Sequence, residues 1–415
     1  MKRFLTFALL ALVASPAFAC INDRDSDALA VQNGRVPDAL RVISGRFERF
    51  PPRYYAMRAA RVETELKAKP RAWNLYDDLG AARDRLGQHD GALEAMARKR
   101  ALLPPYSARN AAIKEAWYRY FANDGTFRVH RFLVRGAKKE ELPELRRSIA
   151  EIRRALEIKP NAHFGREKYQ LAVMEWVLSV RTQHPDEVLS LGNFMANRFG
   201  WDNPDAGDDP SRRTPLAANR REAVEGLSGL VVLGVAWQMP DVFDALATAL
   251  ESRPTIALSY LARHRQQELL GGGAKSLSPS GLYPLEEYAL EDRMQHGLNS
   301  PNAQTLDALY PQLRQEANSW TQTRDAWMNA RFDRGEHPDT NADFWRGWRD
   351  ASVPPSLDVA WHSDAVSPEV ARERTIQQAR FAEWLALALL LGVPGLVGAA
   401  LLLLIRGHHR QQVKL

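Results

Sequence analysis

WNLYDDLGAARDRLGQHDGALEAMARKRALLP, Trp73 to Pro104, is the stretch from which the fold is read. Apolar and small residues recur three and four apart on either side of Gly87, the pattern of two amphipathic helices joined by a tight turn. Leu79-Gly80 stands in the first half, Ala92 and Met96 lie four apart in the second, and Pro104 closes the unit. A helix pair of this kind cannot bury its apolar face alone, so it implies neighbours of the same design.

Working outward, the flanking sequence supplies them. Pro37 opens a helical pattern through Phe50, Pro51-Pro52 break it, and Tyr54 to Lys69 continues with Tyr55, Ala59, Val62 and Leu66 on one face. Beyond Pro104, a second pair has Phe121 and Gly125-Thr126 in its first helix and Ser148, Ile152, Ala155, Leu156 and Pro160 in its second. That pair is about 11 residues longer than the first, and the surplus is expected as an inserted turn around Gly136 to Pro143. Asn161 to Arg181 begins a third unit, whose second helix runs from His184 through Phe199. A fourth, shorter unit covers Ala218 to Pro254, with Leu233-Gly234, Trp237, Ala245 and Ala249, and a helix from Thr255 to Leu270 follows it. Leu285 to Arg334 stays helical in period, with Trp320 and Trp327 on one face. Trp345 and Trp348 are expected on the next helix.

The spacing in Trp73 to Pro104 resembles the tetratricopeptide repeat, a unit of about 34 residues with the pattern W-x2-L-G-x2-Y, then A-x3-F, then P. Tyr76 stands for the tryptophan, Arg83 for the second aromatic and Met96 for the phenylalanine. The signature positions are Leu79, Gly80, Gly87, Ala92, Met96 and Pro104, and Ala155 and Pro160 in ALEIKP repeat the ending. The resemblance implies an all-α, tetratricopeptide-like α-solenoid that binds another protein or peptide. It also implies that first-helix residues line the inner groove: Asn74, Asp77, Asp78, Ala81 and Arg85 in the best unit. His163, at a junction between units, joins them as a candidate groove residue.

Both ends of the chain carry address signals. Lys2-Arg3, the apolar run Phe4 to Val13, Pro16 and Ala17-Phe18-Ala19 have the three regions of a secretory signal, with cleavage expected before Cys20. Cys20 is the sole cysteine, which forbids an intramolecular disulfide, and Ala17 and Phe18 fit a lipobox poorly. Trp384 to Ile405 holds about 22 residues without a charge, long enough for a single membrane-spanning helix. Arg406, Arg410 and Lys414 flank it and are expected on the cytoplasmic side. Gly392, Gly395 and Gly398 would let a transmembrane helix partner approach closely.

Of the net charge of +6, Lys2 and Arg3 hold two units and the three tail residues three more, which leaves +1 between them. A nucleic-acid surface is not supported by that balance. The expected organisation is therefore a signal peptide over 1–19, a flexible lead over 20–35 in which little packs, and the helical array over 36–270. A less regular helical region over 271–366, a polar stalk over 367–383, the anchor over 384–405 and a basic cytoplasmic tail over 406–415 complete it.

No catalytic, cofactor or metal motif stands out. Gly271 to Ser276, GGGAKS, lacks the glycine before the lysine and the preceding strand that a phosphate loop needs, and Asp202 to Asp209 does not fit a calcium loop. His264 and Glu268, one helical turn apart, read as an ordinary helix-surface pair. His408 and His409 read as a polar membrane flank, and Asp333 to Asp339 with His337 as an inter-helix loop. The expected function is a non-enzymatic scaffold or assembly factor of the bacterial envelope, single-pass in the inner membrane with its N-terminal domain in the periplasm. The alternative is an envelope hydrolase or glycan-modifying enzyme with a site scattered over 200–364.

Overall fold

In the computed structural model, the residues described are 21–25, 38–160, 165–201, 216, 218–234, 236–252, 255–279, 281–282 and 303–350. All belong to the first of two units into which the chain divides, residues 1–364 and 365–415. Every regular element among them is helical. The helices are α1 (Ala39–Ser44), α2 (Pro52–Ala68), α3 (Trp73–Arg85), α4 (His89–Leu102), α5 (Ala111–Val134), α6 (Leu142–Ile158), α7 (Arg166–Thr182), α8 (Leu191–Phe199), α9 (Ala218–Leu233), α10 (Pro240–Ala249), α11 (Ile256–Gly271) and α12 (Ala303–Phe332). The signal peptide, Cys20, His163, Asp202 to Asp209 and everything from 351 onward, including Trp384 to Ile405, lie outside the described residues. Within them, no helix is long and apolar enough to cross a membrane.

Local chemistry accounts for the helix ends. Asp38 caps α1 by accepting from the Arg41 amide at 2.9 Å, and Gly45, in the left-handed region at φ 85°, stops it after six residues. The pattern expected to run from Pro37 to Phe50 is cut there because only glycine enters that conformation without strain. Asn110 caps α5 and Ser190 caps α8 in the same way, while Pro52 and Pro240 sit at helix starts where their missing N–H is harmless. The cap at Ser190 also moves the start of α8: Pro185–Glu187 forms only a 3-10 turn, so the helix expected from His184 begins at Leu191.

Consecutive helices pack pairwise from α2 to α7, as a helical array requires, and α9, α10 and α11 continue the series. The α5–α6 pair takes up much of its surplus length in the helix itself, since α5 has 24 residues against 13 in α3. One core spans α2 to α5 around Leu79, Ala92, Met96 and Phe127, and a larger one joins α1 and α5 to α12 around Phe132, Trp176, Phe243 and Leu261. Burying a ring such as Phe127 completely is worth about 2–3 kcal/mol.

Residues 303–350 do not form a separate module. Helix α12 packs on α11, α1 and α2, so the end of the described series returns to its beginning. Trp345 and Trp348, expected on a helix, lie instead in a run of turns over 337–348 that Gly347 at φ 85° helps to reverse. They pack on each other with ring centroids 6.1 Å apart, and Trp348 reaches Trp327 on α12 at 5.6 Å.

Of the signature residues, Leu79, Ala92 and Met96 share one core, Ala155 packs in a separate cluster with Tyr118 and Ala122, and Pro160 is exposed. Leu79, Ala92, Met96 and Ala155 are fully buried, Gly87 makes the left-handed turn between α3 and α4, and Pro104 accepts a hydrogen bond from the Trp117 indole. At Gly80 a Cβ would stand 2.8 Å from the Phe127 ring and 3.1 Å from the Met96 methyl, so α3 and α5 meet there with no space for a side chain. Gly80→Val is expected to destabilise the chain by about 1–3 kcal/mol, read as a lower urea midpoint at unchanged slope. An unshifted midpoint would contradict the close approach.

Candidate functional site

Helix α2 places one arginine where water does not reach it. Arg58 is fully buried, and a guanidinium in that position must be surrounded by carboxylates. It donates to Asp339 through Nε at 2.8 Å and Nη2 at 2.7 Å, to both oxygens of Asp25 at 2.8 Å, and more weakly to Asp23 at 3.4 Å. Tyr54, one turn back, lies under the guanidinium at 4.5 Å and donates its hydroxyl to Asp25 at 2.7 Å. Arg61 and Arg24 also reach Asp339, at 2.6 and 3.6 Å. Burial would raise the Asp339 carboxyl, but the hydrogen bonds and charge of Arg58 hold it down at about 2. His337 is buried too, donating Nε2–H to the Tyr54 carbonyl while its Nδ1 accepts from the Asp339 amide. Burial lowers its proton affinity, and both bonds fit the neutral ring. The 333–339 stretch is thus a loop, as expected, yet its last residues are interior.

The same network brings in the N-terminal segment, and this differs from the unpacked lead expected over 20–35. Ile21, Asn22 and Asp23 are buried. The Asn123 carboxamide on α5 grips the backbone of Asn22 at both sides, accepting from its N–H at 2.8 Å and donating to its C=O at 2.9 Å. Tyr118 on the same helix donates its hydroxyl to Glu167 on α7 at 2.7 Å, and the same oxygen lies 3.1 Å from the Asn22 side chain. Arg24 lies along Asp78 on α3, with its amide at 3.1 Å and its guanidinium at 2.8 and 2.9 Å from that carboxylate. A polar lead packs because its side chains answer buried charges far along the chain.

The candidate groove residues therefore divide. Asp78 touches the segment directly. Asp77 supports it from behind: it accepts from Asn123 at 3.1 Å and pairs with Lys99 on α4 at 2.6 and 2.7 Å. Burial pushes the Asp77 carboxyl up and the Lys99 amine down, and each opposes the other's shift. Ala81 is in the core, Asn74 is exposed, and Arg85 donates to the carbonyls of Gly234 and Leu233 beyond α9 at 2.6 and 2.5 Å.

A second polar cluster, formed by residues that spacing did not single out, lies two helical turns along the same interface. Asp84 in the last turn of α3 accepts from His89 Nδ1 at 2.8 Å and from His130 Nδ1 at 2.7 Å. The bonds of His264 and Glu268 go to other residues: His264 bonds Asp307 at 2.7 Å, and Glu268 is held by Arg314, Arg265 and Tyr310. No family model, curated protein or solved structure matches the chain.

Replacing Arg58 with Met removes the cation that three carboxylates share and should cost about 3–5 kcal/mol. The Asp339 carboxyl has a pKa depressed from its ordinary 3.8 to about 2, so its contribution is present above pH 4. It is lost as pH falls through that window, on the order of 2 kcal/mol in all. Urea melts from pH 5 to pH 2 should show that loss in the parent chain and a flatter profile in Asp339→Asn. Parallel profiles would contradict the assignment.

Proposed function

We propose that the chain is a non-enzymatic protein-binding scaffold or assembly factor of the bacterial cell envelope, built as a tetratricopeptide-like array. In this reading the array is exported behind the 1–19 signal, and Trp384 to Ile405 anchors it in the inner membrane with the tail in the cytoplasm. The observation that supports it is the grip of Asn123 on Asn22. One carboxamide that satisfies both backbone groups of a single residue holds a peptide irrespective of its side chain. Asp78 and Arg58, to either side, then select for charge. A partner would be a segment of another envelope protein, carrying a basic residue for Asp78 and carboxylates for Arg58, and would take the place of residues 21–25.

The hydrolase alternative has less support. In the 200–364 region Asp241, Asp244, Glu268 and Asp307 are each tied to arginine, serine, histidine, tyrosine or backbone groups.

The test uses the full chain with a protease site introduced between residues 28 and 33. After cleavage, a labelled peptide of residues 20–31 should exchange into the array. Its affinity should fall about tenfold or more in Asn123→Ala, the equivalent of about 1.4 kcal/mol for the lost pair of hydrogen bonds. Absence of exchange at any peptide concentration, with the chain still folded, would remove the basis for peptide recognition. Protease added to spheroplasts should degrade the array and spare the tail; protection of the array would reverse the topology.

A further inference from the structure

Asp84 is a buried carboxylate, and its only hydrogen-bond and ion-pair partners among the described residues are two imidazoles. The carboxylates of the first cluster have an arginine or lysine beside them: Asp77 has Lys99, Asp78 has Arg24, and Asp339 has Arg58. Arg83 and Arg85, on either side of it in sequence, are spent on Glu63 and the Gly91 carbonyl and on the carbonyls of Leu233 and Gly234. A buried negative charge needs a positive partner or a bound cation.

The geometry suits a metal. One ligand atom from each of Asp84, His89 and His130 can be chosen so that all three lie within 4.8 Å of one another. The two rings approach with centroids 6.0 Å apart at 74°, each turning Nδ1 toward the carboxylate. Three separate helices provide the ligands: the last turn of α3, the first residue of α4 and the next-to-last turn of α5. The Gly87 turn sets the first two against each other. His130 Nε2 has no hydrogen-bond partner, and the Nδ1 proton that now bonds Asp84 has to leave, or move to Nε2, for Nδ1 to coordinate. His89 is partly exposed and gives the cluster its contact with solvent.

We infer that Asp84, His89 and His130 bind a borderline divalent first-row metal ion through two imidazole nitrogens and one carboxylate oxygen. That donor set favours Zn2+, Co2+ or Fe2+ over Ca2+ and Mg2+, which take oxygen ligands, and lacks the thiolate that soft ions prefer. Three protein ligands leave at least one position for water or for a group on a bound partner. The site stands apart from the peptide reading and does not depend on it.

The test is calorimetric titration of the full, untagged chain with Zn2+ after chelator treatment, alongside Co2+ uptake followed by its visible ligand-field bands. One equivalent of each should bind, and Ca2+ should not compete. His89→Ala, at a partly exposed helix start where folding is least affected, should weaken Zn2+ binding by about 100-fold or more, the upper end of what even an outer-sphere change costs. Asp84→Asn should do the same if it folds. His408→Ala with His409→Ala should leave the affinity unchanged, which separates the cluster from the tail histidines. Absence of stoichiometric uptake by the parent chain would overturn the site, as would uptake insensitive to His89→Ala or abolished by the tail substitutions.

Discussion

The structure depends most on the charge of Arg58. A guanidinium with no exposure on α2 has to find its carboxylates within the protein, and it takes them from residues 23, 25 and 339. Two of these precede the first helix and the third follows the last, so a single buried cation draws both ends of the described chain onto α2. The apolar contacts follow the same route. Tyr54 stacks on His337 at 4.6 Å, His337 stacks on Phe332 at 5.8 Å, and Phe344 closes on Phe332 at 5.7 Å. Isolated surface ion pairs contribute little, but a buried one with several partners becomes strongly destabilising once a member is removed. The network therefore specifies where the ends go more than it adds net stability.

That constraint changes what the inner face of α3 means. Family resemblance points to Asp77 and Asp78 as groove residues available to a partner, and both are already engaged within the chain. Asp78 holds Arg24, and Asp77 holds Lys99 and Asn123. Any outside peptide would have to displace Ile21–Asp25 and replace its bonds to Asn123, Asp78 and Arg58. Such competition favours a partner with a similar alternation of basic and acidic residues, because a neutral peptide would leave the buried charges unmatched.

The helices from Trp73 to Leu102 were legible because their determinants are local: three-and-four spacing, a glycine at the turn and a proline after the end. The same holds for α2, α5 and α6. Errors arose where one residue overrode a pattern, as Gly45 does in cutting α1 and Ser190 in delaying α8. The site was far less legible. Asn22 and Asn123, or Asp84 and His130, are distant in sequence, and a polar side chain carries no local mark of the partner that will bury it. His89 five residues after Asp84, across a glycine turn, was the one short-range hint. It needed His130 on another helix to acquire meaning.

The two polar clusters turn out to be rungs of one helix–helix contact. On α3, Asp77, Gly80 and Asp84 follow at intervals of three and four; on α5, Asn123, Phe127 and His130 follow at four and three. Asp77 meets Asn123, Gly80 receives Phe127, and Asp84 meets His130. Residues so spaced share one face of each helix, and two turns separate the outer rungs by roughly 10 Å. The Phe127 ring, seated where Gly80 has no side chain, fixes the register between them. A slide of α3 along α5 would break both outer rungs together. The clamp on Asn22 and the histidine cluster are thus held by the same packed contact, and the missing Cβ at Gly80 is what lets both exist.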